Sequence, residues 1–165
     1  MNPLKILSIS ILAAGMMLAG SFKGQAQPES HMSGKDMAVF YPDGFDSTRT
    51  LPSLALVKDM TPTGQVPDNW RLVPDFYKED GKNSARIAFG EGTDLYGTGE
   101  VTGPLRRNNQ FVELWNTDNY GYDKFNGKRL YQSHPWIMGV RDDGSSFGIL
   151  VDHTWRQRFQ LDNPI

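Results

Sequence analysis

The sequence predicts an all-β protein built as an antiparallel β-sandwich, and three observations predict it. Short apolar segments alternate with a period of two, the pattern of a strand with one buried face. Glycine and proline turns separate those segments closely enough that no long element fits between them. Beyond residue 26 no stretch carries the apolar stripe of an amphipathic helix, and there are neither heptads nor an internal repeat. At 165 residues, with 38% apolar and 22% charged content, the chain has room for one globular domain or part of a larger one.

Taken in order, Met1 to Ala26 reads as an export signal. Lys5 supplies the positive start, Ile6 to Gly20 the apolar run, and Gly24-Gln25-Ala26 the small residues a signal peptidase needs. A run of about 15 apolar residues is short of the ~20 that a spanning helix requires. Cleavage after Ala26 would leave Gln27 at the N-terminus and no membrane attachment. It would also remove Lys5 and Lys23 and no acid, taking the formal charge from −2 to −4. That balance excludes a general nucleic-acid binder on electrostatic grounds. The chain has no cysteine, so disulfides, thiolate metal ligands, a cysteine nucleophile and N-terminal lipidation are all excluded. An exported protein without disulfides fits a bacterial periplasm or cell surface.

Residues 27–36 are poor in apolar side chains and read as a flexible leader with no core to offer. The domain proper is expected over 37–165. Met37 to Tyr41 and Leu54 to Val57 read as short strands, and the proline-interrupted stretch from Asp59 to Asp75 as an ordered loop packed by Trp70 and Leu72. After the Glu79-Asp80-Gly81-Lys82 turn, Ala85 to Phe89 alternates as a strand. Phe111 to Trp115 does the same, with Phe111, Glu113 and Trp115 on one face and Val112 and Leu114 on the other. Trp136 to Val140 and Phe147 to Val151 flank Arg141-Asp142-Asp143-Gly144-Ser145, a hairpin turn. Arg156 to Leu161 forms a last alternating run.

Gly97-Thr98-Gly99-Glu100-Val101-Thr102-Gly103 superficially has the look of a dinucleotide-binding turn, but three residues rather than two separate its second and third glycines and no helix follows. A bulge or tight turn in a sheet is the better reading. His31, His134 and His153 are scattered, without carboxylates at ligand spacing, so neither a metal site nor any other cofactor is expected. Trp115-Asn116-Thr117-Asp118-Asn119-Tyr120-Gly121-Tyr122 is different in kind. It sets hydrogen-bonding side chains beside aromatic faces at a strand exit, which suits the hydroxyls and the C–H face of a sugar ring; a turn capped by Asn116 and Asp118, with Trp115 and Tyr122 buried, has the same composition.

Between Leu95 and Leu161, Tyr96-Gly97-Thr98-Gly99-Glu100 is followed by Leu114-Trp115-Asn116-Thr117-Asp118, then Tyr122, then Leu130-Tyr131-Gln132-Ser133-His134-Pro135-Trp136. This order resembles the N-terminal, galactose-mutarotase-like domain of family 31 glycoside hydrolases, the α-glucosidase and α-xylosidase family. Thr98 and His134 stand where that family more often carries aliphatic residues. The resemblance implies that Asp118 binds an α-linked oligosaccharide, with Trp115, Asn116 and Tyr122 as lesser contacts. Retaining hydrolysis needs two carboxyls about 5–5.5 Å apart. The family holds them on a (β/α)₈ barrel of about 250 residues, for which 165 residues leave no room. The expectation is therefore an incomplete sandwich, an N-terminal fragment whose missing partner is the barrel of the same protein, with no catalytic residue of its own. Asp142-Asp143 is a solvated pair in a turn. The alternatives are a free-standing carbohydrate-binding sandwich and a structural domain of a glycan-uptake system.

Overall fold

The computed structural model describes residues 5–11, 30–46, 61–119 and 129–162. The expected Leu54–Val57 strand and Tyr122 lie outside the described residues. Within them the chain is all-β, antiparallel and without helix, as its alternation predicts.

Two sheets enclose the core. The first has the order β5-β6-β1-β11-β8, from Pro74–Glu79 (β5), Lys82–Phe89 (β6), Lys5–Ile11 (β1), Gln157–Leu161 (β11) and Gln110–Leu114 (β8). The second has the order β10-β9-β7, from Ser146–Leu150 (β10), Arg129–Val140 (β9) and Asp94–Val101 (β7). Alternate side chains of both meet inside: Ile87 and Phe89 from β6, Leu95 from β7, Val112 and Leu114 from β8, Ile137 from β9, and Phe159 and Leu161 from β11. This is the interdigitation expected of a sandwich core. Val112 and Leu114, placed on the opposite face from Phe111 by the strand's alternation, point inward, and Phe111 points outward.

The β5–β6 hairpin turns at Asp80 and Gly81, whose φ angles of 51° and 75° are the paired positive values of a two-residue hairpin loop. The β9–β10 hairpin closes with Arg141 N donating to Ser145 O at 2.9 Å, while Asp143 Oδ1 accepts from Ser145 N at 2.8 Å. The acidic pair is structural here. Asp142 lies against Gly92, where an added Cβ would fall 1.7 Å from its Oδ2.

A small third sheet changes one expectation. His31–Met32 (β2) pairs with both Ala38–Val39 (β3) and Gly64–Gln65 (β4). Met32 is buried, so the segment read as having no core to offer supplies one apolar side chain. Thr63 ties this corner, its Oγ1 donating to Met32 O at 3.2 Å and accepting from Gly34 N at 2.9 Å. The strand expected over Met37–Tyr41 shortens to Ala38–Val39, because its partner β2 offers only two rungs. Leu72 packs on the main core and Trp70 is half-buried, which fits the ordered loop expected between Asp59 and Asp75. Strand β1 lies inside the segment read as an export signal, and it is antiparallel to both β6 and β11.

Candidate functional site

The Trp115-to-Asn119 loop leaves the end of β8 and runs beside the first half of β9. Backbone and short side chains hold it there. Thr117 N donates to Leu130 O at 2.8 Å, Ser133 N donates to Asn116 Oδ1 at 2.9 Å, and Asn119 Nδ2 donates to Arg129 O at 2.5 Å. Thr117 Oγ1 closes the turn on Trp115 O at 3.0 Å. The fastening therefore falls to Asn116, Thr117 and Asn119, and Asp118 stands exposed between them. Trp115 is 47% exposed, so it is not the buried plug that the turn reading called for. Trp115, Asn116 and Asp118 share one loop as predicted. Asn116 also anchors the loop, its Oδ1 accepting from Ser133 N.

Beneath the loop sits an ion cluster that strand alternation alone does not disclose. Glu113, on the outer side of β8, receives Arg129 Nη1 on Oε2 at 2.7 Å and Arg156 Nε on Oε1 at 2.7 Å. Arg158 Nε, directly across on β11, reaches Oε1 at 3.3 Å. Burial by itself would raise the Glu113 carboxyl, but the Arg156 and Arg158 hydrogen bonds and the charges of Arg129 and Arg156 hold it below the usual range. One carboxylate thus joins the edge of the first sheet to the start of β9, the strand on which the loop rests. The sequence signal was Arg156 and Arg158 two apart on one face, but only the β8–β11 pairing shows what they meet.

A second support is the glycine-rich segment, which is a bulge, as expected. Register slips between Gly97, paired with Ile137, and Gly99, paired with Ser133. Side chains cannot replace these glycines, since a Cβ at Gly97 would be 2.4 Å from Trp136 O and one at Gly99 would be 2.6 Å from His134 N. Between them Thr98 is fully buried at φ 72°, an uncommon backbone for a β-branched residue. Pro135, which has no N–H to give the ladder, falls in the slipped stretch of β9. Arg107 clamps the bulge from below: its Nε donates to Gly97 O and its Nη2 to Val101 O, both at 3.3 Å. Burial pulls the Arg107 guanidinium below its ordinary value. Asn108 completes the frame by accepting from Leu95 N and donating to Thr93 O, both at 2.8 Å. Neither residue stands out in sequence, because each acts on backbone brought close by folding.

The histidines stay apart. His31 is on β2, His134 is exposed on β9, and His153 lies half-buried between β10 and β11, with Nδ1 accepting from Trp155 N at 3.1 Å. Among the described residues no three His, Asp or Glu side chains converge as metal ligands. The described carboxylates near the loop are a salt-bridged Glu113 and an exposed Asp118, an arrangement suited to holding a polar ligand.

Known proteins give this geometry its context. The chain is 42% identical over 71 residues to alpha-glucosidase 2 of Bacillus thermoamyloliquefaciens, covering 43% of this chain and 9% of that protein. It is 28% identical over 125 residues to the alpha-xylosidase of Emericella nidulans, covering 72% of this chain and 14% of that protein. A solved family 31 alpha-glucosidase from Bacteroides thetaiotaomicron is 49% identical over 47% of this chain and 14% of its own, with a TM-score of 0.39. The chain thus spans about a tenth of the length of these relatives. Residues 9–160 match the glycosyl hydrolase 31 N-terminal galactose mutarotase-like domain, and with nearly its whole length matched the chain belongs to that family.

Proposed function

We propose that this domain serves an exported, retaining α-glycoside hydrolase of the α-glucosidase or α-xylosidase type, and that its Trp115–Asn119 loop contacts the sugar. The observation that carries the proposal is the division of labour in the loop. Neighbouring residues hold the backbone, leaving the Asp118 carboxylate exposed on the same loop as the half-exposed Trp115 ring. A preplaced carboxylate accepts hydrogen bonds from adjacent sugar hydroxyls without first being ordered, and an aromatic face covers the C–H side of a ring. The two carboxyls that break the glycosidic bond belong to a barrel elsewhere in the same protein, and Asp118 acts on binding and orientation. Met1 to Ala26 directs export, supported by Lys5, the following apolar run and the small residues before Gln27.

The test is Asp118→Ala in the whole protein. Loss of one charge-assisted hydrogen bond, about 1.5–3 kcal/mol, lowers kcat/KM roughly 10- to 150-fold on p-nitrophenyl α-glucoside or α-xyloside. The melting temperature should hold, since Asp118 does not fasten the loop. A drop in melting temperature with unchanged kcat/KM would assign Asp118 to the turn and remove it from the substrate. Saturable oligosaccharide binding by a whole protein that hydrolyses neither glycoside would favour a carbohydrate-binding module instead.

A further inference from the structure

We propose that Glu113 is a positioning residue for the sugar-contacting loop, acting through Arg129 to set where Asp118 stands. This role rests on the reading of Asp118 as a sugar ligand and extends it to the residue that places the ligand. Both neighbours of Asp118 are tied to consecutive carbonyls of β9: Thr117 N donates to Leu130 O at 2.8 Å, and Asn119 Nδ2 donates to Arg129 O at 2.5 Å. The side chain of that same Arg129 donates through Nη1 to Glu113 Oε2 at 2.7 Å. Glu113 lies on β8, two residues before the loop begins at Trp115. The result is a closed ring, running along the backbone from Glu113 to Asn119, across to Arg129, and back through two side chains to Glu113. Asp118 rides on that ring, exposed, and supplies none of its bonds.

The link through Glu113 decides whether the ring is stiff. Its other oxygen, Oε1, is pinned by Arg156 Nε at 2.7 Å and by Arg158 Nε at 3.3 Å, the latter from its cross-strand partner on β11. The carboxylate is therefore fixed by the first sheet, and it passes that position to Arg129. Side-chain exposure of 16% for Glu113 and 31% for Arg129 shields the pair enough to favour one geometry over many. The backbone ladder holds Arg129 less firmly: it is the first residue of β9, and its pairing with Val101 lies beyond a register shift at Gly99. Without the Glu113 charge, three guanidiniums are left to repel one another, and Arg129 is the one at a strand end. Every link in the ring joins residues of this domain, so it needs no partner surface to form. A loop held this way meets the sugar already ordered, whereas a loosened one must be ordered as the sugar binds.

The test is a double-mutant cycle in the whole protein, with kcat/KM on p-nitrophenyl α-glucoside and α-xyloside read per mole of folded enzyme, well below the melting temperature. Glu113→Gln should lower kcat/KM about 5- to 10-fold, and by no more than about 2-fold when Asp118 is already alanine, because its effect passes through that carboxylate. Arg129→Met should reproduce the loss, and Arg129→Lys, which keeps a cation against Glu113, should recover most of it. These two variants carry the test if Glu113→Gln does not fold, since Glu113 then keeps Arg156 and Arg158. A merely structural Glu113 would lower the melting temperature and leave kcat/KM of the folded enzyme unchanged; that result, beside a lowered kcat/KM in Asp118→Ala, overturns the positioning role alone. Equal losses with and without Asp118 overturn it too, because Glu113 would then act by another route. Full kcat/KM in Asp118→Ala, or a protein that hydrolyses neither glycoside, removes the sugar contact itself, and the positioning role falls with it.

Discussion

Among the described residues, Glu113 and His153 each make this domain less stable in acid. Glu113 has a depressed carboxyl pKa in the fold, so its contribution is complete above the unfolded value of about 4.3 and disappears as pH falls through the folded one. His153 loses stability in the same direction but at higher pH. Burial lowers its pKa and Nδ1 must stay unprotonated to accept from Trp155, so its contribution is full above about 6.5 and is lost as pH falls through its lower folded value. Thermal melts from pH 8 to pH 3 should therefore decline first below about 6.5 and again below about 4.3. In Glu113→Gln the second decline should shrink, and stability at pH 7 should fall by about 1–3 kcal/mol, since three guanidiniums lose their shared anion. A pH 7 melting temperature equal to wild type would show that the arginines are satisfied by solvent. Asp118 lies in the sequence where its exposure puts it. The Glu113 cluster could not be read there, because its members come from three separate segments.

At the level of the element, the β7 bulge is the part whose failure would travel furthest. It sets the register of β9, and β9 holds the Trp115–Asn119 loop. Gly97→Ala puts a methyl group 2.4 Å from a backbone oxygen at φ 113°, a clash that no rotamer relieves. A loss of about 2–4 kcal/mol in unfolding free energy is expected by denaturant titration. Asn108→Ala is a gentler probe of the same frame. It strips partners from Leu95 N and Thr93 O in the interior and should cost about 1–3 kcal/mol with no clash anywhere. A near-neutral result would mean that water replaces the amide. The glycines announce a bulge in the sequence, whereas Arg107 and Asn108 do not. Their partners are backbone groups, which any residue would supply.

Across the whole molecule the decisive question is what occupies the position between β6 and β11. In the fold it is Lys5–Ile11, paired on both sides, from the segment that carries the export pattern. Cleavage after Ala26 would remove that strand and expose two ladders of backbone N–H and C=O groups beside the buried rungs of Ile87, Phe159 and Leu161. The chain beginning at Gln27 should therefore melt lower than the chain beginning at Met1 and associate at micromolar concentration, as seen by light scattering. Equal melting and a monodisperse monomer for both would show that β1 adds nothing to the sheet.

By itself the sequence determined the all-β class, the hairpin turns, the two-faced alternation of Ala85–Phe89 and Phe111–Trp115, and the loop that bears Asp118. Each is a local property, set by a two-residue period or by turn residues that tolerate positive φ. Tertiary structure alone decided that β11 lies beside β8, that Glu113 gathers three arginines, that Met32 enters a small sheet, and that the Trp136 ring packs against Gly148. Those outcomes depend on pairing between segments far apart in the chain. The same alternating pattern permits many such pairings, and only closure of the shared core selects among them.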